Sequence, residues 1–258
     1  MSAPLVSLTL SEGIAAITLD RPERHNALVP NLLDDLIAAI AAARSKDVFA
    51  LTLTGRGRSF STGGDIAGFL AARNGEDGIT AYAGTVVGAL NEAIVALATF
   101  PAPVVAAVNG QVTGGTVGLV LAADIVLMAE DAFIQPYYGE VGFAPDGGWT
   151  ALLPDRIGTA RAARIQMLNE RVDADTARHL GLADRVVSSD RLPDATTETL
   201  KALRAKEPES LRATRRLLWS KPRLDTLRRD LEAERLAFLD LIGRDCVAER
   251  MQAFVARC

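Results

Sequence analysis

Pro103-Val104-Val105-Ala106-Ala107-Val108-Asn109-Gly110-Gln111-Val112-Thr113-Gly114-Gly115-Thr116 is the stretch on which the reading of this chain turns. Its first six residues form a continuous apolar run of the kind buried on both faces of a parallel sheet. A polar turn follows, and Gly114-Gly115 opens a small-residue helix predicted to reach Ala123. Ile125–Ala129 is a second buried run, so strand, turn, helix and strand make a right-handed crossover unit. The free N–H groups and the dipole at such a helix start favour negative charge. Glycines there also serve close helix–strand packing, and the spacing alone leaves both readings open.

Outward from this centre, the first third is β-rich. Leu5–Leu10 and Ile14–Leu19 are apolar runs separated by the turn signal Ser11-Glu12-Gly13. Pro30–Arg44 switches to helical spacing, with Leu32, Leu33, Leu36, Ile37 and Ile40 on one face. Val48–Thr54 reads as a strand ending at Gly55, and Ile79–Ala98 as an amphipathic helix. In the last third, short helices are expected over Thr159–Leu168 and Asp173–Leu180, with a brief strand at Val186-Val187. Nothing after Leu192 resembles a strand. Helices near Glu209–Trp219, Arg223–Ile242 and Asp245–Ala256 carry apolar stripes that must be buried on the core or on another subunit. The boundary between core and helical layer is expected near residue 195.

The chain has 258 residues, enough for one domain or one domain plus a small appendage. Lys and Arg total 28 and Asp and Glu total 32, a mildly acidic balance with no whole-chain footprint for nucleic acid or an anionic membrane. Two histidines (His25, His179) and two cysteines (Cys246, Cys258) do not supply a Cys/His metal cage or a disulfide framework. Acid–base chemistry therefore falls to carboxylates. The stretch from Val86 to Val108 contains Asn91, Glu92, Pro101 and Pro103, which argues against a membrane span. The opening residues MSAPLVSLTLSEG lack a basic region before an apolar core, and a cytoplasmic location is expected.

Two further segments could carry chemistry. Gly55-Arg56-Gly57-Arg58-Ser59-Phe60-Ser61-Thr62-Gly63-Gly64-Asp65 is a Gly/Ser-rich loop after a strand. It fits neither a P-loop nor a dinucleotide fingerprint, and reads as an anion-facing loop or an ordinary connection. Phe143-Ala144-Pro145-Asp146-Gly147-Gly148 contains a turn signal in which Asp146 would bond its own backbone. Tyr137, Tyr138 and Glu140 lie close by.

Together these segments resemble the enoyl-CoA hydratase/isomerase, or crotonase, superfamily. Arg21-Pro22 and Asn26-Ala27-Leu28 resemble its R-P…N-A-L element. Phe60-Ser61-Thr62-Gly63-Gly64-Asp65-Ile66 resembles F-S-A-G-x-D-L, and Pro103–Gly110 with Gly114-Gly115 and Ala123-Asp124-Ile125 resembles the most recognisable family stretch. Pro145-Asp146-Gly147-Gly148 and Leu153-Pro154-Asp155-Arg156-Ile157-Gly158 resemble P-x-x-G-G…L-P-R-x-x-G. Five weak motifs in order carry the assignment.

The resemblance implies an α/β fold: a crotonase-like spiral of ββα turns over 1–195 that binds acyl-CoA. A C-terminal helical trimerisation region would occupy 196–258. It implies a homotrimer or a hexamer built as a dimer of trimers, an acyl-CoA thioester substrate, and no cofactor or metal beyond the coenzyme A of the substrate. Neither nucleic acid nor membrane is implied as a partner. The thioester oxygen would be held by the N–H groups of Gly64 and Gly115. Coenzyme A would lie along Arg24, His25, Ala27, Gly64, Asp65 and Ile66, with Asp65 and Asp124 in structural roles. The region around Tyr82 is expected to line the acyl pocket.

The departures from the family pattern are specific. Hydratases of the family place one glutamate three residues after the second oxyanion glycine, where this chain has Gly118. The second belongs just before V-G-x-x-P, at Tyr138 or, shifted by one, Tyr137; only a register shift would bring Glu140 there. Asp146 matches the catalytic aspartate of an isomerase branch that reads P-D-x-G-G. Beside Phe143 and Trp149 it would have a raised pKa. The expected catalytic set is Asp146, Gly64, Gly115 and Tyr138. The leading expectation is an isomerase shifting a 3-enoyl-CoA double bond to the 2-position. Hydratase-like chemistry, aryl-CoA dehalogenase or hydrolase chemistry with Asp146 as nucleophile, and a non-catalytic acyl-CoA-binding protein are the alternatives.

Overall fold

The computed structural model describes residues 3–257; Cys258, one of the two cysteines counted above, lies outside them. Strands and helices are numbered in chain order among the described residues. β1 (Val6–Ser11) and β2 (Ile14–Leu19) form the expected antiparallel hairpin. β3 (Ala50–Gly55) continues the first sheet, and β4 (Ser59–Ser61) starts the second. β5 (Val104–Val108), β7 (Ile125–Ala129) and β10 (Arg185–Val187) belong to the first sheet, and β6 (Gln111–Thr113), β8 (Phe133–Gln135) and β9 (Val172–Asp173) to the second. The sheet orders are β1-β2-β3-β5-β7-β10 and β4-β6-β8-β9. All pairs are parallel except β1–β2 and β8–β9.

The helices are α1 (Pro30–Arg44), α2 (Ile66–Arg73), α3 (Gly78–Ala98), α4 (Val117–Leu121), α5 (Tyr138–Val141) and α6 (Leu153–Ile157). There follow α7 (Thr159–Met167), α8 (Ala174–Leu180), α9 (Leu192–Arg204), α10 (Pro208–Leu218), α11 (Lys221–Ile242) and α12 (Asp245–Val255). Three successive turns, β3–β4–α2, β5–β6–α4 and β7–β8–α5, each give one strand to each sheet and then a helix. The crossover read from the central stretch therefore gains a strand, β6, and becomes a ββα turn. The helix expected from Gly114 to Ala123 is a 3₁₀ turn over Gly114–Thr116 followed by the short α4. The break begins at Gly114, whose φ of +54° lies outside the helical region.

Every residue of β5 is buried, as its apolar run requires between two parallel neighbours. α3 is long and apolar enough to cross a membrane by length and composition alone. Val86, Leu90, Ile94 and Leu97 form part of its buried stripe, and the helix packs against α1, α2 and α11.

The C-terminal helices fold back over the core of the same chain. Residue 195 lies inside α9, a helix the sequence pattern did not single out; its Leu192 and Ala195 are buried, and it packs on β5 and β7. α10 is locked by Arg215, which is only 4% exposed. Its Nε donates to Asp124 at 2.6 Å, and its remaining N–H groups reach the carbonyls of Leu97 (2.8 Å), Ala98 (3.1 Å) and Phe100. Those carbonyls lie at the end of α3 and just beyond it, where a cation suits the helix dipole; Leu97 O also accepts from Phe100 N at 3.1 Å. Arg215→Met removes these bonds and leaves Asp124 without its cation. Denaturant titration is expected to show a loss of about 3 kcal/mol.

Candidate active site

The spiral brings the two glycine turns face to face. Leu28 forms a parallel bridge with Gly64, its N–H donating to Gly63 O (2.7 Å) and its carbonyl accepting from Asp65 N (3.0 Å). In a parallel bridge this pattern turns the Gly64 N–H to the opposite edge. Across from it, Gly115 sits in the first turn of the 3₁₀ segment, ahead of that turn's own hydrogen bonds. The turns are tied by Ser61 Oγ and Thr116 Oγ1, 2.9 Å apart, and Ser61 Oγ also donates to Asn26 O at 2.7 Å. Asn26 is fully buried and its amide donates to the carbonyls of Arg56, Ser59 and Phe60, which fixes the N-A-L element against the first turn. Gly64 and Gly115 both line a cavity of about 460 Å³.

A side chain at either glycine would displace its neighbours. A Cβ on Gly64 would lie 2.7 Å from Phe69 Cε2, and one on Gly115 2.6 Å from Leu90 Cδ2 and 2.8 Å from Asp146 Oδ1. Asp146 therefore stands directly over Gly115. The loop that carries it is pressed backbone to backbone onto the second turn: a Cβ on Gly147, which has φ +63°, would overlap the Gly115 backbone.

Asp146 is 6% exposed and lines the cavity. Tyr138, equally buried, donates its hydroxyl to Asp146 Oδ1 and also lies 3.1 Å from Asp146 O. Burial pushes the Asp146 carboxyl up to about 7, against the Tyr138 hydrogen bond that favours its charged form; the negative Glu234 adds to the rise. Burial likewise holds the Tyr138 phenol well above its ordinary range, with the Asp146 charge acting in the same direction. Tyr138 is aimed by a strained turn. Tyr137 before it has φ +63°, and the Tyr137 N–H donates to Asn169 Oδ1 at 2.8 Å. Glu140, the register-shift candidate, is exposed and does not line the cavity.

Arg24, His25, Ala27, Asp65 and Ile66 line the same cavity. Asp65 caps α2 through Gly68 N (3.4 Å) and binds Arg21 (2.9 Å) and Arg24 (3.1 Å). Burial raises its carboxyl, but the two guanidiniums outweigh this and hold it below the usual carboxylate range. Its oxygens are thus engaged within the protein, and its role is to present Arg24, whose side chain is 49% exposed. His25 Nδ1 lies 2.9 Å from Ser59 Oγ.

The apolar end holds Phe69, Phe143 and Phe238, with ring centroids 4.8–6.1 Å apart, together with Val86 and Leu90 of α3. Tyr82 does not line the cavity: it packs edge-on behind Phe69 at 5.5 Å, its hydroxyl beside Gly68. Phe238 comes from α11 and Phe254 from α12, so both C-terminal helices of this chain contribute to the cavity.

The sequence reading missed Glu234. It lies on α11, 4% exposed, and accepts four hydrogen bonds from the loop after Asp146. Its position was readable: Leu227, Leu231, Phe238 and Ile242 form the buried stripe, and residue 234 falls within it. A carboxylate on an apolar stripe is the signal.

Taken together, Gly64, Gly115 and the buried carboxylate of Asp146 line one largely apolar cavity, whose other buried carboxylate, Asp65, is engaged by Arg21 and Arg24. That arrangement can hold a carbonyl oxygen while a proton leaves the adjacent carbon.

Comparisons with known proteins bear on the family and the fold. A family model described as enoyl-CoA hydratase/isomerase matches residues 9–258. A probable enoyl-CoA hydratase of Mycobacterium bovis is 34% identical over 260 residues, covering 98% of this chain and 90% of that one. The crystal structure of an enoyl-CoA hydratase from Bacillus halodurans superimposes with a TM-score of 0.89 at 25% identity, covering 96% of this chain and 99% of that one. A structure described as a monofunctional enoyl CoA isomerase from M. smegmatis gives a TM-score of 0.71 at 32% identity, covering 86% and 95%.

Proposed function

Because the chain belongs to the enoyl-CoA hydratase/isomerase family, we propose that it moves the double bond of a 3-enoyl-CoA to the 2-position with Asp146 as its single acid/base. An acyl-CoA thioester is the substrate class implied by the family, whose members here carry both hydratase and isomerase names. One observation favours the isomerase: the cavity holds a lone carboxylate over Gly115, while the hydratase acid positions hold Gly118 and Tyr138.

In this reading the thioester oxygen sits between the Gly64 and Gly115 N–H groups. Asp146 takes a proton from C2, and the electron pair of that C–H bond moves into the enolate, whose oxygen the two donors stabilise. The carbon–carbon double bond shifts from C3–C4 to C2–C3, and the same carboxyl returns the proton to C4. No atom is gained or lost. Tyr138 donates to the carboxylate when it is charged, and a pKa near 7 suits a group that must both take and give a proton. Coenzyme A enters as part of the substrate, so no resident cofactor is required. A homotrimer or hexamer and a cytoplasmic location complete the proposal.

The direct test is turnover of 3-enoyl-CoA thioesters, followed by the absorbance of the conjugated product. kcat/KM should rise with pH through an acid limb near 7, because the base must be ionised to take the C2 proton. Tyr138→Phe removes a hydrogen bond that lowers the Asp146 pKa, so its limb should move to higher pH. Its kcat/KM at pH 7 should fall about tenfold. An unmoved limb in that variant would take Tyr138 out of the mechanism.

A further inference from the structure

We infer that Glu234 is a positioning residue for this reaction, reaching from the C-terminal helix α11 to clamp the loop that carries Asp146. The inference rests on the acid/base role of Asp146 proposed above. The loop needs a clamp. Gly147 and Gly148 follow Asp146 directly, both with positive φ, and glycines of this kind leave the chain free to move. Glu234 Oε2 accepts from Gly148 N at 2.7 Å, and Oε1 accepts from Thr150 N (2.6 Å), Thr150 Oγ1 (2.7 Å) and Ala151 N (2.9 Å). Four donors on one carboxylate hold the three residues Gly148, Thr150 and Ala151 in a single geometry.

The choice of residue is informative. An apolar side chain would continue the stripe of Leu231 and Phe238 without the expense of burying a carboxylate. Among the described residues no cation pairs with Glu234; its hydrogen-bond donors are neutral loop groups, and it does not line the cavity. Its charge faces Tyr138 from α5 and Asp146 from the loop, and burial raises its own carboxyl. Gly115 and Leu90, against Asp146, are uncharged. On α11 itself, Glu232 and Arg235 pair with each other at the surface. Glu234 thus fixes Asp146 in place and also opposes its ionisation.

The test uses two variants of the full chain. In Glu234→Gln the charge is gone, and the acid limb of kcat/KM should move down by about half a pH unit or more. Its kcat should fall about tenfold, with KM within about twofold of the parent, since Glu234 touches no substrate. In Thr150→Val the charge stays and one clamp bond is lost, so kcat should fall about threefold with the limb unmoved. A folded Glu234→Gln with parental kcat and limb overturns the inference. If Glu234→Gln does not fold, Thr150→Val decides it, and parental kcat there overturns it. A carbon NMR titration of aspartate-labelled protein, assigned with Asp146→Asn, separates the two proposals. If Asp146→Asn keeps its activity, the acid/base reading fails, while the Asp146 resonance still reports whether Glu234→Gln lowers its titration.

Discussion

Asp146→Asn and Asp146→Ala are expected to lose isomerisation of 3-enoyl-CoA by a factor of about 10²–10⁴, while coenzyme A thioester binding changes only a few-fold. The carboxylate is the one acid in the cavity placed over Gly115, so no neighbour replaces it. Arg24, His25 and Ala27, the residues proposed to meet coenzyme A, line the same cavity and are left unchanged. Full activity in both variants would remove Asp146 from the mechanism. The Asn variant carries a second expected outcome. The folded chain holds the Asp146 proton up to about pH 7, against an ordinary value of 3.8. Between those values the folded state binds more protons than the unfolded one, so this group's contribution to stability falls as pH rises through the interval and is lost above 7. Asparagine carries no such penalty. Asp146→Asn should therefore melt several degrees above the parent at pH 8, with the gap shrinking toward pH 5. An enzyme made inactive and more stable by one substitution is the signature of a destabilised working group.

Gly118→Glu, which places an acid where the family's hydratases carry one, is expected to yield no hydratase and a damaged protein. A Cβ at Gly118 would fall on the Gly147 carbonyl oxygen and on Ile94 Cδ1, with Gly147 C at 3.0 Å. Backbone does not yield as a flexible side chain would, so even Gly118→Ala should cost about 3 kcal/mol in denaturant titration. The displaced segment is the one that seats Asp146 against Gly115, so kcat for the proposed isomerisation should fall at least tenfold in the alanine variant. Parental stability with measurable hydration in Gly118→Glu would contradict this and reopen the hydratase reading.

How far the sequence was readable follows from how each residue is buried. β5 and β7 and the helices α1 and α3 were legible because their burial is strong and periodic, from Val104 to Val108 on both faces and from Leu32 to Ile40 on one. The second sheet was not, because Ser59–Ser61, Gln111–Thr113 and Phe133–Gln135 are three-residue strands with mixed polarity and no period to read. Asp146, Gly64 and Gly115 were picked out as candidates through motif resemblance, and they line one cavity. Tyr138 was found as a departure from the motif, and its bond to Asp146 required coordinates. Glu234 and Arg215 escaped because charged residues among the Arg- and Glu-rich C-terminal helices read as solvated, although both are 4% exposed.

The clamp from α11 also sets when the site can form. Its bonds join residues 83 to 86 positions apart, and the Arg215 lock spans 91 to 118. Such long loops close only after the hairpins and local helices have formed. The Ser61–Thr116 tie between the glycine turns lies within the core, whereas the clamp on the loop of Asp146 needs α11 docked. Regain of activity on refolding should therefore trail regain of helical signal, and a partly folded chain is left without its reactive group in place.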